Sequence, residues 1–365
     1  MKKLKNRLIE KTIKPAIEFF KNIAKKRVII LHDEDCDGIC SGAIIGKLLV
    51  KKKCKVKLLA MHPDSPNPEI IWKEINKHNP EIVVILDIPS ISQESINTLK
   101  FSQILIIDHH MPRKYSNCVY VNPRVFDKKV YIPTSCICYE IYRNFFDENE
   151  ICWIAGIGIL GDFGVKSCRH VFRKIKLIHP ELVDKRIEQK ELFENTLLGT
   201  LTKVVDSSRI VMREKGARIA SKFLMRVSDW REIFKFEKSE SKKLIKWYLL
   251  SRFELERLKK NFEKRKIVKK DKILYIFSSQ FKLKSTLATH LSQKYRKKII
   301  IIAQEEKKYL NVSLRRGKNS KVDLNLLIKK LKEKVPELEG GGHPQAAAFK
   351  VPLKYKELII CYLGF

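Results

Sequence analysis

Acidic and imidazole side chains gather at four places in this chain, each at the end of an apolar run. The segment ILHDEDCDGIC, residues 30–40, sets Asp33, Glu34, Asp35 and Asp37 within five positions. Asp87 closes EIVVILD, Asp108, His109 and His110 close QILIIDHH, and Asp162 follows ICWIAGIGILG. Buried like charges repel and are costly to desolvate. A helix N-terminus favours one or two carboxylates but does not account for four. A divalent cation does, because oxygen ligands on alternate positions of a turn converge on one ion. Asp35, Asp37, Asp87, His109 and Asp162, with Asp33 beside them, are more ligands than one ion takes. They suit two ions roughly 3.5–4 Å apart, a geometry used in phosphoester hydrolysis. The mixed Asp/His set suits Mn²⁺ better than Mg²⁺ or Zn²⁺. Taken singly, each piece has a plainer explanation: a helix cap, a loop histidine pair, a GDFG turn. Their joint placement at successive strand ends is what argues for metal.

The elements around these residues alternate. Short apolar strands are expected around Val28–Leu31, at 54–61, 81–87 and 103–108, and at CVYVNP. Helices are expected between them, at 68–79 and SQESINTLKFS, then at IPTSCICYEIYRNFF and over the apolar 151–161 run. Continuous apolar strands alternating with helices predict a mainly parallel sheet covered on both faces. Ligands bind beyond the carboxyl ends of such strands, where the acids and histidines lie. Residues 181–268 read instead as a basic helical connector. A smaller α/β unit follows over 269–365, with strands at DKILYIFSS, RKKIIIIAQ and KKYLNVSLRRG and the glycine-rich segment EGGGHPQAAAFKV. The expected boundaries are 1–26, a basic amphipathic helix; 27–180, the unit that carries the acids and histidines; 181–268, the connector; and 269–365, the smaller α/β unit.

The 365 residues carry 75 Lys and Arg against 41 Asp and Glu, a formal net charge of +34. Such a surface favours a polyanionic partner, most plausibly nucleic acid. Nine cysteines, an odd number with no pair at zinc-ligand spacing, suggest a reducing compartment without disulfides. No run reaches the roughly 18 apolar residues of a membrane span, and the N-terminus lacks a secretory apolar core. A cytoplasmic location is expected. In the N-terminal helix, Leu8, Ile9, Ile13, Ile17, Phe20 and Ile23 share a face that packing onto the domain would cover.

Asp35-Cys36-Asp37-Gly38, Asp87 after VVIL, Asp108-His109-His110 after ILII and Gly161-Asp162 resemble, in order, the four motifs of the DHH phosphoesterase superfamily. Val121-Asn122-Pro123 resembles the segment after the third motif in RecJ-like members. Gly340-Gly341-Gly342-His343-Pro344-Gln345 resembles the glycine-rich signature of the DHH-associated domain, and Ser313-Leu314-Arg315 the strand before it. The resemblance spans about residues 27–170 and 272–352. It implies a two-Mn²⁺ hydrolase of phosphodiesters. Asp35 and Asp37 would each hold one metal, Asp87 would bridge both, and His109 and Asp162 would complete the second site. His110 would contact the scissile phosphate or assist the leaving group, and Asp108 would orient the histidines. Arg315 would hold a phosphate through its fork, and Gly341, Gly342 and His343 would let the backbone approach it.

One departure stands out. Many members carry a ligand histidine four residues before the first motif aspartate, where this chain has Leu31. RecJ-type members often read D-x-D-x-D-G, as Asp33-Glu34-Asp35-Cys36-Asp37-Gly38 does. Asp33 is therefore the expected extra ligand, with His32 as runner-up. Three substrate readings compete. The charge favours a RecJ-like exonuclease of single-stranded DNA or RNA, of archaeal type and with a DNA-repair role. A nano-RNase or cyclic-dinucleotide phosphodiesterase would need only a small pocket. A replisome scaffold, with replication proteins as partners, is disfavoured because all motif ligands are present.

Overall fold

The computed structural model describes residues 2–62, 68–89, 91–99 and 102–365. Two compact units divide the chain, Met1–Tyr248 and Leu249–Phe365.

The first unit opens with helix α1 (Lys2–Lys21) and strand β1 (Arg27–Asp33), followed by α2 (Cys36–Lys51), β2 (Lys55–Met61) and α3 (Pro68–Lys77). Next come β3 (Ile82–Leu86), α4 (Gln93–Asn97), β4 (Gln103–Ile107) and β5 (Val119–Val121). The helix expected over SQESINTLKFS keeps only the α4 residues; positions 100 and 101 lie outside the described residues. The five strands are all parallel, in the order β2-β1-β3-β4-β5. Both faces are covered, as continuous apolar strands require. Val28 and Ile30 join the cluster of α2, while Ile29 and Leu31 join Trp72 and Ile75 on the opposite face. Each such side chain contributes roughly 1.5–3 kcal/mol by leaving water. The strand order reverses between β1 and β3, and a crevice forms at such a switch point. Asp33 and Asp35 leave β1 there and Asp87 leaves β3.

Helices α5 (Thr134–Tyr142), α6 (Cys152–Gly161), α7 (Arg169–Ile178), α8 (Gln189–Asn195) and α9 (Leu197–Arg226) complete the packing of this unit. α9 leaves helical geometry at Arg213, with φ 53° and ψ −141°, so it is two helices across a kink. It packs on α2, α6 and β2, burying Leu201, Val204, Val205, Ala217 and Ala220. This part of the basic helical segment thus belongs to the core of the first unit. α1 buries Ile13, Ala16 and Phe20 and packs beside β5 and α5.

The boundary between units falls within α10 (Ser239–Arg265). The second unit holds β6 (Ile267–Lys269), β7 (Lys272–Ser278), α11 (Lys284–Lys294), β8 (Ile299–Glu305) and β9 (Tyr309–Arg316). Then come α12 (Leu324–Lys334), β10 (Glu339–His343), β11 (Ala346–Pro352) and α13 (Lys356–Tyr362). Its sheet runs β10-β11-β9-β8-β7-β6, with only β7 and β8 parallel. The last residues of the segment read as a helical connector, Ile267 and Val268, lie in edge strand β6. The glycine-rich segment is the opposite edge strand, β10. Among the described residues no helix is long and apolar enough to cross a membrane. All nine cysteines are free thiols.

Candidate metal centre

The first acids are set by the turn between β1 and α2. Asp35 caps α2, its carboxylate accepting the Gly38 N–H at 3.0 Å. Asp33 Oδ1 in turn accepts the Asp35 N–H at 3.3 Å. Gly38 is required here: a Cβ would lie 2.4 Å from the Asp33 carbonyl oxygen. Asp37 lies in the first turn of α2 and is fixed from α5. Its Oδ2 accepts the Thr134 N–H at 2.7 Å, and its Oδ1 accepts the Ser135 N–H at 2.9 Å and the Ser135 hydroxyl. These are free donors of a helix start, introduced by Pro133. Thr134 also reaches across to Asp87, its hydroxyl donating to Oδ1 at 2.8 Å.

Asp87 follows β3 with φ 64°, a left-handed turn that Asp tolerates better than most residues. His109, after β4, places Nε2 3.3 Å from Asp87 Oδ1 and 3.6 Å from Asp162 Oδ2. Asp162 caps the end of α6 and is held by the Tyr131 hydroxyl, which donates to its Oδ2 at 2.6 Å. His110 turns toward Asp108, with Nδ1 2.8 Å from Oδ1 and its N–H donating to Oδ2 at 3.2 Å. Asn122 donates to the His110 carbonyl at 3.0 Å and to Asp108 Oδ2 at 3.4 Å.

Three sets of donor atoms lie mutually within 4.8 Å: Asp33, Asp35 and Asp87; Asp37, His109 and Asp162; and Asp87, His109 and His110. Asp87 belongs to the first and third sets and His109 to the second and third, so the sets join through these two residues. His32, the runner-up, is outside these sets. Its Nδ1 lies 2.6 Å from the Asp33 carbonyl oxygen and its Nε2 2.9 Å from the Ser221 hydroxyl, so both nitrogens are engaged in the core. Leu31 is wholly buried in the β1 core, which suits an apolar residue at the position where many members have histidine. Glu34 is buried and directs Oε1 toward His62 Nε2, 3.8 Å away. The four clustered acids therefore split, with three serving the cluster and Glu34 facing elsewhere.

The electrostatics of this arrangement call for a cation. Burial and Asp35 push Asp37 up to about 7. Burial, then Asp37 and Asp35, raise Asp87 well above the carboxylate range. Burial and the same two neighbours raise Asp162. Burial lowers His109 to about 3, leaving a neutral imidazole, the form that binds metal. His110 is raised despite burial, because Asp108 accepts its hydrogen bond. Oxygen and neutral imidazole donors that repel one another without a cation fit divalent ions of the Mn²⁺ or Mg²⁺ type. Arg209 on α9 supplies positive charge beside this cluster. Burial opposes its charge, but Asp206, bonded to it at 2.6 Å, and then Asp35 and Glu34 hold it firmly protonated.

Sequence reasoning missed Thr134, Ser135, Tyr131 and Arg209, and saw Asn122 only as part of a motif. A Pro-Thr-Ser helix start signals free N–H groups, so Thr134 and Ser135 could have been found. Arg209 and Tyr131 carry no such local signal.

In the second unit, Arg315, Ala346 and His343 stand in one cross-strand row. The Arg315 guanidinium donates to the Leu314 carbonyl at 2.9 Å, to Thr289 Oγ1 at 3.3 Å and to the Ala347 carbonyl at 3.4 Å, and burial lowers its pKa. Gly340 and Gly342 have φ of 151° and 155°, and Cβ atoms there would meet the Ala348 and Ala346 carbonyl oxygens at 2.3 and 2.5 Å. At Gly341 nothing lies within 4 Å of a Cβ.

The chain matches the DHH family, N-terminal domain, over residues 27–161 and the DHHA1 domain over residues 274–360. No curated protein matches it in sequence. Among solved structures, RecJ from Thermus thermophilus in complex with Mn²⁺ is similar at TM-score 0.71 and 13% identity, over 96% of this chain. This chain spans 54% of that one, about half its length. Exonuclease RecJ bound to manganese is similar at TM-score 0.68 and 14% identity, over 96% of this chain and 93% of that one. A DHH domain described as a member of the S1p family of ribosomal proteins is similar at TM-score 0.71 and 18% identity, over 98% and 91%. The two family matches cover most of the residues that build both sheets, and the fold is that of RecJ. The chain carries the DHH and DHHA1 domains, belongs to the DHH phosphoesterase superfamily and has a RecJ-like fold.

Proposed function

We propose that the protein is an Mn²⁺-dependent exonuclease that hydrolyses phosphodiester bonds of single-stranded DNA or RNA. The observation that carries this reading is the convergence of Asp33, Asp35, Asp37, Asp87, His109 and Asp162 at one end of a parallel sheet, with burial raising Asp33, Asp37, Asp87 and Asp162. Two divalent ions held by these residues would supply Lewis acidity and an acidified water when bound. The chain's own groups do the rest. Thr134 and Ser135 hold Asp37, and Tyr131 holds Asp162, so each acid keeps one orientation. His109, neutral, offers a lone pair toward the acids. His110, whose affinity for protons Asp108 raises, is suited to donate a proton to the departing oxygen. Asn122 fixes the Asp108–His110 pair through both partners.

A net charge of +34 supports a long polyanion over a dinucleotide, because a strand needs an electrostatic track and a dinucleotide does not. In the second unit, Arg315 bonds, among the described residues, to carbonyl and hydroxyl oxygens, and its charge suits a phosphate of the substrate. The edge glycines Gly341 and Gly342, with His343, would let that phosphate approach the backbone.

End-labelled single-stranded DNA, single-stranded RNA, a dinucleotide and a cyclic dinucleotide, each with Mn²⁺ and with Mg²⁺, test the reading. Ladders from one end of a long strand are expected. Cleavage confined to dinucleotides would overturn the exonuclease assignment while leaving the phosphoesterase class intact.

A further inference from the structure

A second group of metal-ligating side chains lies away from the acids. Cys136 and Glu140, one turn apart on α5, share a face. Cys168 and His170 enter together at the start of α7, Cys168 as its N-cap and His170 as its second residue. One ligand atom from each of Cys136, Glu140 and His170 lies within 4.8 Å of the other two. His170 Nε2 is 2.7 Å from Glu140 Oε1, and the Cys168 thiol lies against that of Cys136. Both cysteines are buried, whereas the His170 side chain is 47% exposed and leaves a path of entry. The other Glu140 oxygen is held by Arg143 at 3.4 Å, the kind of outer contact that orients a ligating carboxylate.

We propose that Cys136, Cys168, His170 and Glu140 form a structural site for a thiophilic divalent cation of the zinc class, pinning α5 to α7. Two thiolates, one imidazole and one carboxylate make a tetrahedral donor set of the sort Zn²⁺ takes. The catalytic acids supply oxygen and nitrogen only, so the two sites sort metals by softness. On binding, both thiols release their protons and His170 presents a neutral nitrogen, so occupancy rises with pH. Sequence spacing hides the site, because its two halves, C-x₃-E and C-x-H, come from different helices 28 positions apart at nearest approach, from Glu140 to Cys168. The site has a bearing on the catalytic centre, since α5 also carries the Thr134 and Ser135 donors to Asp37.

The test uses the full chain, reduced and freed of metal by chelation, then titrated with Co²⁺. A thiolate-to-cobalt charge-transfer absorption should grow to saturation at one ion per chain, and Zn²⁺ should abolish it. His170→Ala, at a half-exposed position that folding tolerates, should weaken Co²⁺ binding at this band roughly tenfold or more. Cys168→Ser should remove much of the band, and Asp87→Ala should leave it unchanged. No thiolate band in the reduced protein, or a band unaltered in His170→Ala, overturns the proposal.

Discussion

His109 holds its Nε2 3.3 Å from Oδ1 of Asp87, although the two residues leave different strands. Both groups are buried, and a cation shared between them would hold them in this arrangement. Removing the Asp87 charge should therefore separate activity from stability. Asp87→Asn keeps a side chain that tolerates φ 64° and still accepts from Thr134. Hydrolysis with Mn²⁺ is expected to fall by roughly 10²-fold or more. The chelated variant should be more stable than the parent by about 0.5–2 kcal/mol, since a like charge is gone. Parallel activity and thermal unfolding measurements check both halves; undiminished turnover would sink the proposed role of Asp87.

Metal removal should expose a pH dependence with a definite sign. Burial and Asp35 push Asp37 up to about 7, and Asp33, Asp87 and Asp162 shift the same way. Above the ordinary carboxylate range and below about 7, the folded state holds a proton that the unfolded chain has released. Stability of the chelated protein therefore falls as pH rises from about 5 to about 7. Exposed acids with lowered pKa, such as Glu263 at about 2, act only at lower pH. Thermal midpoints across this range should decline with chelator, and Mn²⁺ should raise the midpoint more at pH 7 than at pH 5. A flat profile in chelator would contradict the crowding of charge.

Tyr131→Phe removes the hydroxyl that donates to Asp162 and leaves the ring in place. Asp162 then loses its fixed orientation. The Mn²⁺ concentration for half-maximal hydrolysis is expected to rise roughly 10–100-fold, with a smaller change in the rate at saturation. Metal titrations of activity distinguish this from general damage, which would lower the saturated rate instead.

The glycine edge separates space from approach. Gly341→Ala meets nothing within 4 Å, so stability should change by no more than about 0.5 kcal/mol. Gly342→Ala forces a Cβ to 2.5 Å from a carbonyl oxygen at positive φ and should cost roughly 1–3 kcal/mol. If the edge receives a phosphate, Gly341→Ala raises KM for a long strand while thermal unfolding stays at the parental midpoint. An unchanged KM would remove the edge from substrate binding.

The strand-end acids were legible because parallel strands buried on both faces must end in polar turns, and β1, β3 and β4 do. Their partners were harder to see. Thr134 and Ser135 sit at a helix start whose Pro-Thr-Ser sequence signals free N–H groups but not which acid they reach, and Arg209 reaches the cluster from a helix read as a connector. The glycine-rich segment carries no strand signal of its own, because glycine weakens strands. It pairs nonetheless, since β11 offers Ala347 and Ala348 opposite Gly342 and Gly341 and leaves room only for hydrogen at Gly342. Which way His32 points depended on Ser221, 189 positions away, and no local pattern encodes that.

The crowding of acids beside Asp87 also bears on the lifetime of the chain in a cell. A protein whose folded state is weakened without its ions opens more often, and open chains are what proteases cut. Supply of divalent metal would then govern abundance as well as turnover. Starved of metal, the chain would be cleared rather than persist as an idle fold.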